Sequence, residues 1–447
     1  MAVCGLLWLA PERARSCGPP DYCARTDRKI ERYAKTPPAL GAAGSIITDP
    51  SFGSRILRVT DAKSDPMDRG RAFKTTSSAE QNIWNRDSTA FYVLAGGGQD
   101  LLYEFDPSTM KARQGEVLKL GWQGEPQFSY SQPDILYGIN KDKAAFEEYD
   151  IRKRRVRTIY KVSDCLKLSG DDSAHDITVS ADDNRLTAAV GPGQDRYTHI
   201  VVYDRKLGCR WYNAETGEVG GQWGPKGSIP IPDRALLHNS RMSKSGKYVY
   251  MTRGAGLKVG KGYLVWEVDS TNVRACPKQC HSHHALGYSH ILGLSGGSHP
   301  MDVISVPLDR LDESRHLLPG LEPVRELAGW YDKHLSWNNT GPEDDAPVCL
   351  STYNANNPDE RGAPLNTSGP WENEILCVST DGKGTVWRFA HTYSTAQNGF
   401  WSTPRGNVSQ DGRFFAFTSD WQDQLGEAPG GGGNARFRTD VFIVELK

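Results

Sequence analysis

The 447-residue sequence predicts an all-β chain, one seven-bladed β-propeller closed into a ring by an N-terminal strand. Three observations carry that prediction. A strand–turn–strand unit recurs seven times. The composition joins turn formers, 46 Gly and 26 Pro, to strand-forming aromatics, including 12 Trp and 18 Tyr. A surplus strand stands at the opposite end of the chain from the repeat that lacks one.

The clearest repeats are RGNVSQDGRFFAFTSD from Arg405, HNSRMSKSGKYVYMTR from His238 and HDITVSADDNRLTAAV from His175, which align without gaps. Their centres, Ser409-Gln-Asp-Gly, Ser243-Lys-Ser-Gly and Ser180-Ala-Asp-Asp, hold residues that accept left-handed backbone or form side-chain turns. Weaker copies begin at Gln81, Gln127, His284 and His334. Two long intervals hold insertions, GCRWYNAETGEVGGQWGPKG and NPDERGAPLNTSG, which are expected in loops. A third, alternating strand follows in every unit: LLYEFDPSTM, AFEEYDIRKR, HIVVYDRKLG, YLVWEVDSTN, MDVISVPLDR, NEILCVSTDG and TDVFIVELK. The last leaves no room for a fourth strand, and SRILRVTDA from Ser54 is expected to supply it, removing an exposed sheet edge.

Residues 54–447 are therefore assigned to the propeller and 17–53 to a Pro-rich arm over its surface. Residues 1–16 read as the remnant of a signal segment, because a short apolar run stands there without a basic flank. That segment and the nine cysteines suggest a secreted or periplasmic protein. Cys17/Cys23 and Cys276/Cys280 are spaced to close small disulfide loops, whereas Cys165, Cys209, Cys349 and Cys377 suit either disulfides or buried thiols. A net charge of −1 provides no broad attraction for nucleic acid, and the run Arg152-Lys153-Arg154-Arg155 reads as a solvated hairpin tip. No stretch reaches the roughly 20 apolar residues of a membrane span. The chain is read as a monomer.

In a propeller the first residues of the inner strands meet at one mouth of the central channel. Here those positions hold Gln81, Gln127, His175, Asp176, His238, Asn239, His283, His284, His334 and Arg405. Imidazole, amide and guanidinium suit carboxylates, sugar hydroxyls and proton transfer, although a polar channel filled with water needs no function. In CHSHHALGYSH, His281 and His283 share one strand face and either bind a divalent metal (Mn, Zn or Ca) or pack between blades. Gly293-Leu-Ser-Gly-Gly297 matches a nucleophile pattern outside its strand–helix context, and Gly430 to Gly433 lie in a loop, so neither supports hydrolase or phosphate chemistry.

The repeated strand pair with its S-x-D-G turns, the N-terminal closing strand and the histidine-lined channel resemble the Tol-type, WD40-like propellers. Within that group the chain looks most like secreted propeller polysaccharide lyases, the oligogalacturonate, ulvan and rhamnosyl-glucuronate lyases. The resemblance implies a polysaccharide or oligosaccharide substrate cut by β-elimination. It also implies a histidine- and glutamine-held divalent metal, although Arg405 stands where the last blade would offer a ligand. On this reading Arg405, Arg241, Asn239 and Gln127 hold a uronate carboxylate, with Gln81, His175 and His334 as further substrate contacts. His238 or His284 is the base, and Tyr288 protonates the leaving oxygen. The alternatives are a non-catalytic glycan- or protein-binding propeller, with Trp84, Trp337 and Trp401 as exposed stacking platforms, and a metal-dependent hydrolase.

Overall fold

The computed structural model describes residues 17–447 apart from the segments 33–35, 68–71, 96–98, 230–235, 255–261, 277–282, 295–301, 319–330, 355–368, 397–398 and 429–437. The remnant signal segment with Cys4, the insertion after Asn354, His281, Cys280, Ser295 and the Gly430–Gly433 run fall outside the described residues. The described residues form seven antiparallel sheets, with helix confined to short 3-10 turns. Each sheet is a blade, and blades 1 to 7 follow chain order. Their inner strands are Phe73–Lys74, Gln127–Phe128, Ser173–Val179, Leu237–Met242, Ala285–Leu286, Tyr331–Ser336 and Gly406–Val408.

The repeated turns share one chemistry. The Ser409 hydroxyl accepts from the Phe414 amide at 3.0 Å, Ser180 from Arg185 at 3.0 Å and Ser243 from Tyr248 at 3.1 Å. Three residues after each serine the backbone is left-handed, at Gly412 (φ 70°), Gly246 (φ 70°) and Asp183 (φ 58°). Asp183 tolerates a conformation that normally selects glycine, and its carboxylate accepts from the Ser129 and Ser131 hydroxyls of blade 2.

The ring closes as the sequence predicts. Arg55–Arg58 pairs with the last strand, Asp440–Glu445, placing Ile56 opposite Val444 and Leu57 opposite Ile443. Arg55 grips Glu445 through two hydrogen bonds of 2.7 and 2.8 Å, and Arg58 meets the buried Asp440 at 2.6 Å. A fifth strand, Ile46–Thr48, lies outside it. The arm is more structured than its composition suggests. Arg25 bridges to Arg388 at the outer edge of blade 6. The Arg388 guanidinium, fully buried, binds Glu374 at 2.6 Å and Asp27 of the arm at 2.9 Å.

One expectation changes, and one alternative left open is decided. The segment GCRWYN is not a loop but the fourth strand of blade 3, Gly208–Asn213, and Glu218–Gly221 and Gly227–Ser228 add two more. The buried Arg210 makes this extension possible, because its guanidinium donates to the carbonyls of Trp223, Pro225 and Ser270. The cysteines left open between thiol and disulfide are paired, Cys165 with Cys209 and Cys349 with Cys377. Cys17 pairs with Cys23, and Cys276 is also disulfide-bonded.

Candidate functional site

Blade 1 departs from the repeat in a way that shapes the whole channel. Its second strand, Ala90–Ala95, meets two separate inner segments: Phe73 and Lys74 lie opposite Ala95 and Leu94, and Trp84 lies opposite Phe91. The register requires the residues between them to leave the sheet, and Thr75–Ile83 turn into the channel. Gln81 then donates to the carbonyls of Glu125, Pro126 and Ile177, each at 3.1 Å, tying blades 1, 2 and 3 together. Glu80 reaches the far wall, 3.0 Å from His284 Nε2 and 3.7 Å from Arg241 Nε. Burial works to raise the Glu80 pKa, but His284, Arg241 and Lys244 outweigh it and hold the carboxyl below its ordinary value. Arg241 also lies 3.9 Å from Asp176. Beneath this plug a small cavity is lined by Glu80, Gln127, Tyr130, Arg241, Lys244 and Trp337. Gln127 Oε1, Asn239 Oδ1 and the Tyr250 hydroxyl are buried near it without a protein hydrogen bond, as solvent or ligand contacts would be.

The mouth above the plug has two differently built sides. On blades 3 to 5 the inner strands begin irregularly. A register shift falls at His238, another follows His175, and Asp176 and His283 take left-handed backbone (φ 57° and 60°). Such bulges re-aim side chains. The ring nitrogen Nδ1 of His238 lies 2.8 Å from Asp195 Oδ1, leaving Nε2 at the partly exposed rim beside Gln194. This is an imidazole oriented by a carboxylate. His175 contacts Gln123 and Ser173 through Nε2, and burial lowers its pKa.

On blades 7, 1 and 2 the residues are cationic and crowded. The Thr75 hydroxyl donates to the Arg405 carbonyl and Thr76 meets Asn407, so the two chain segments run side by side. Lys74 Nζ sits 3.1 Å over the Trp401 ring, and the Arg405 guanidinium lies 4.8 Å from the same ring. Arg405 is fully buried, whereas Trp401 is 40% exposed. Burial and the neighbouring Arg405 push the Lys74 amine down to about 8, against the opposing pull of Glu125. Burial lowers Arg405 itself to about 10, again opposed by Glu125. Glu125 accepts from the Ser77 amide at 2.5 Å, yet burial raises its pKa. Asp100, half-buried and close to Glu125, is pushed up to about 7 by desolvation and by that neighbouring carboxylate.

The structure therefore separates residues expected to act together. His238, His175 and Arg405 belong to the mouth. His284 is 3% exposed, packed on Tyr250 and paired with Glu80 inside the plug. Tyr288 lies in the turn ending the blade 5 inner strand, where its carbonyl accepts from Ser245, whereas His238 begins the blade 4 inner strand that ends just before Ser245. The two side chains stand at opposite ends of the channel, because the expected grouping treated a turn residue as a mouth residue. His283 and His334 stack face to face at 4.2 Å, His283 Nδ1 donating to the Lys333 carbonyl and His334 meeting the Tyr353 hydroxyl. Trp84 and Trp337 are core residues rather than sugar platforms, with indole N–H groups donating to the carbonyls of Asn407 and Ala346. Lys74, Glu80, Glu125 and Asp195 were not predicted from the sequence. A charged residue just ahead of an inner strand, as at Glu125 two positions before Gln127, is the signal that could have found one of them.

No protein-family model matches the sequence, and no curated protein matches it. The fold is similar to solved propellers. An oligogalacturonate lyase from Vibrio parahaemolyticus superposes with a TM-score of 0.55 at 12% identity, covering 92% of this chain and 99% of that one. An oligogalacturonate lyase in complex with manganese gives 0.53 at 13% identity, over 92% of this chain and 98% of that one. The WD40 repeats of RRP9 give 0.48 at 11% identity, over 90% and 100%. The two oligogalacturonate lyase likenesses show the propeller fold alone, whose seven blades are the seven sheets of this chain.

The residues can be tested against a divalent ion such as that manganese. Imidazole donates in its ring plane, so the stacked rings of His283 and His334 direct their nitrogens side by side rather than toward one point. Among the described residues no three His, Cys, Asp or Glu side chains are grouped to hold a metal ion. With His281 outside them, the described donor set does not fit an ion, and no step below is routed through one.

Proposed function

We infer that this protein is a carbohydrate-active propeller, a polysaccharide lyase that cleaves a uronate-containing glycan by β-elimination. The observation that carries the reading is the meeting of Lys74, Arg405 and the exposed Trp401 face at one side of the mouth, with a carboxylate-oriented imidazole, His238, at the other. Elimination requires the uronate carboxylate to be neutralised, so that negative charge delocalised from C5 is stabilised, and a proton to be exchanged with the sugar. Arg405 supplies fixed positive charge in a water-poor setting where it is strongest. Trp401 offers an apolar platform for a sugar ring. His238, held by Asp195, carries a proton at the leaving-group side, a role that the position of Tyr288 does not favour. His175 remains as a mouth contact for further sugars, while Gln81, Gln127, Asn239, Arg241 and the buried His334 shape the channel beneath. The disulfides fit an exported protein, secreted or periplasmic.

The test is ultraviolet absorbance of the unsaturated uronate product during incubation with a panel of uronate polysaccharides, with and without a chelator. Product formation is the expected result. Binding to these polymers without product would instead favour the non-catalytic glycan-binding reading, which the exposed Trp401 also supports.

A further inference from the structure

We propose that Lys74 is the catalytic base of this site, the group that takes the C5 proton of a uronate whose carboxylate faces Arg405. The assignment rests on the lyase reading and adds to it a residue and a geometric requirement. The proton to be removed sits on the carbon bonded to the carboxylate carbon. Whatever accepts it must therefore stand beside the group that neutralises the carboxylate. His238 belongs to blade 4, across the mouth from blade 7, and His284 is sealed in the plug against Glu80 and Tyr250. Lys74 is held next to Arg405 by the Thr75 and Thr76 hydrogen bonds, and both cations contact the ring of Trp401. Lys74 is half-buried whereas Arg405 is fully buried, so Lys74 is the cation that can meet the sugar while Arg405 acts on the carboxylate through its charge from behind.

The electrostatic setting agrees with that geometry. The charged groups facing Lys74 are Arg405 from blade 7 and Glu125 ahead of blade 2, and Glu125 in turn acts on Asp100 of blade 1. Burial and Arg405 disfavour the ammonium form, so the neutral amine is available near pH 8. In the reaction the amine lone pair takes the C5 proton and the C–H electron pair becomes the C4–C5 double bond. The C4–O bond breaks, and its electron pair leaves on the glycosidic oxygen, which is protonated from the His238 side or from water. Lys74 then returns its proton to solvent, and no redox partner is needed.

The experiment uses the full chain and a polymer on which the wild type forms the unsaturated product. Lys74→Arg keeps the charge and removes the base. Its kcat is expected to fall by roughly 10²–10⁴-fold with KM changed only a few-fold. Lys74→His is expected to keep partial activity and to move the rise of kcat/KM with pH to lower pH. Trace acylation with acetic anhydride, read by peptide mapping, is expected to titrate the Lys74 amine at about 8 and to show protection by a saturated uronate. A Lys74→Arg enzyme within tenfold of wild-type kcat overturns the assignment. So does an unshifted profile in Lys74→His, or an amine that acylates like an ordinary surface lysine, and these two readouts decide the matter if Lys74→Arg does not fold. A wild type that forms no product on any uronate polymer removes the lyase reading itself, an outcome distinct from an active enzyme indifferent to Lys74.

Discussion

The plug and the mouth of the channel are both charged, and they differ in how that charge is settled. In the plug, Glu80 meets His284 and Arg241, and their proximity keeps the carboxyl below its ordinary pKa despite burial. At the mouth, Lys74 and Arg405 are pushed down while Glu125 and Asp100 are pushed up, so none of these groups is held in its preferred state. The first arrangement is that of a structural cross-brace, the second that of a site prepared to exchange protons or bind an opposite charge. Convergence of polar residues on an axis does not distinguish them; the pairing does, because Glu80 meets two oppositely charged or chargeable partners whereas Lys74 is crowded by the like charge of Arg405.

The comparison breaks most sharply at Glu80. Glu80→Ala strands the buried Arg241 and His284, and denaturant unfolding should show a loss of about 3–5 kcal/mol. If unfolding is unchanged, the plug is not a brace and the contrast with the mouth fails. Next in size, Arg405→Ala should lower kcat by about 10²–10³-fold, as loss of a preorganised charge does, and spectrophotometric rates on a uronate polymer would show it. A third, smaller effect concerns pH. The folded-state pKa of Asp100 is raised to about 7, above the value of an unfolded aspartate, so the fold binds that proton more tightly. Its contribution is full below the unfolded pKa and is lost as pH rises toward 7. Asp100→Asn should therefore gain about 1–2 kcal/mol relative to wild type between pH 4 and pH 7, measured by urea midpoints across that range. The smallest effect is expected at the platform: Trp401→Ala should weaken oligosaccharide binding by roughly 1 kcal/mol, about five-fold in Kd by calorimetry, with the fold intact.

The closing strand offers a control far from either region. Asp440 is fully buried and shared between Arg58 and Arg438, so Arg58→Ala should cost stability without changing the pH dependence of catalysis. Thermal unfolding and a pH–rate profile on one preparation would check both halves of that statement.

Seven repeats, their turns and the closing strand were legible because each is written in adjacent residues. Ser409, Ser243 and Ser180 build their turns from groups within five positions, and the alternation of SRILRVTDA declares a strand wherever it docks. The fourth strand of blade 3, GCRWYN, escaped notice because the turn formers after it marked the whole insertion as a loop, whereas its pairing with His199–Asp204 is a contact only the folded sheet supplies. Trp84 and Trp337 read as platforms because they stand in sequence beside the channel-lining positions, but exposure is a property of the packed fold, and both are buried there.

Local chain chemistry by itself thus determined the architecture and named His238 and Arg405 as mouth residues. Only the folded ring decided that Glu80 crosses to blades 4 and 5, that His284 is spent on it, and that Lys74 stands beside Arg405. The physical reason is that a side chain's proton affinity depends on burial and on charges brought near from hundreds of residues away, neither of which is present in the neighbouring sequence.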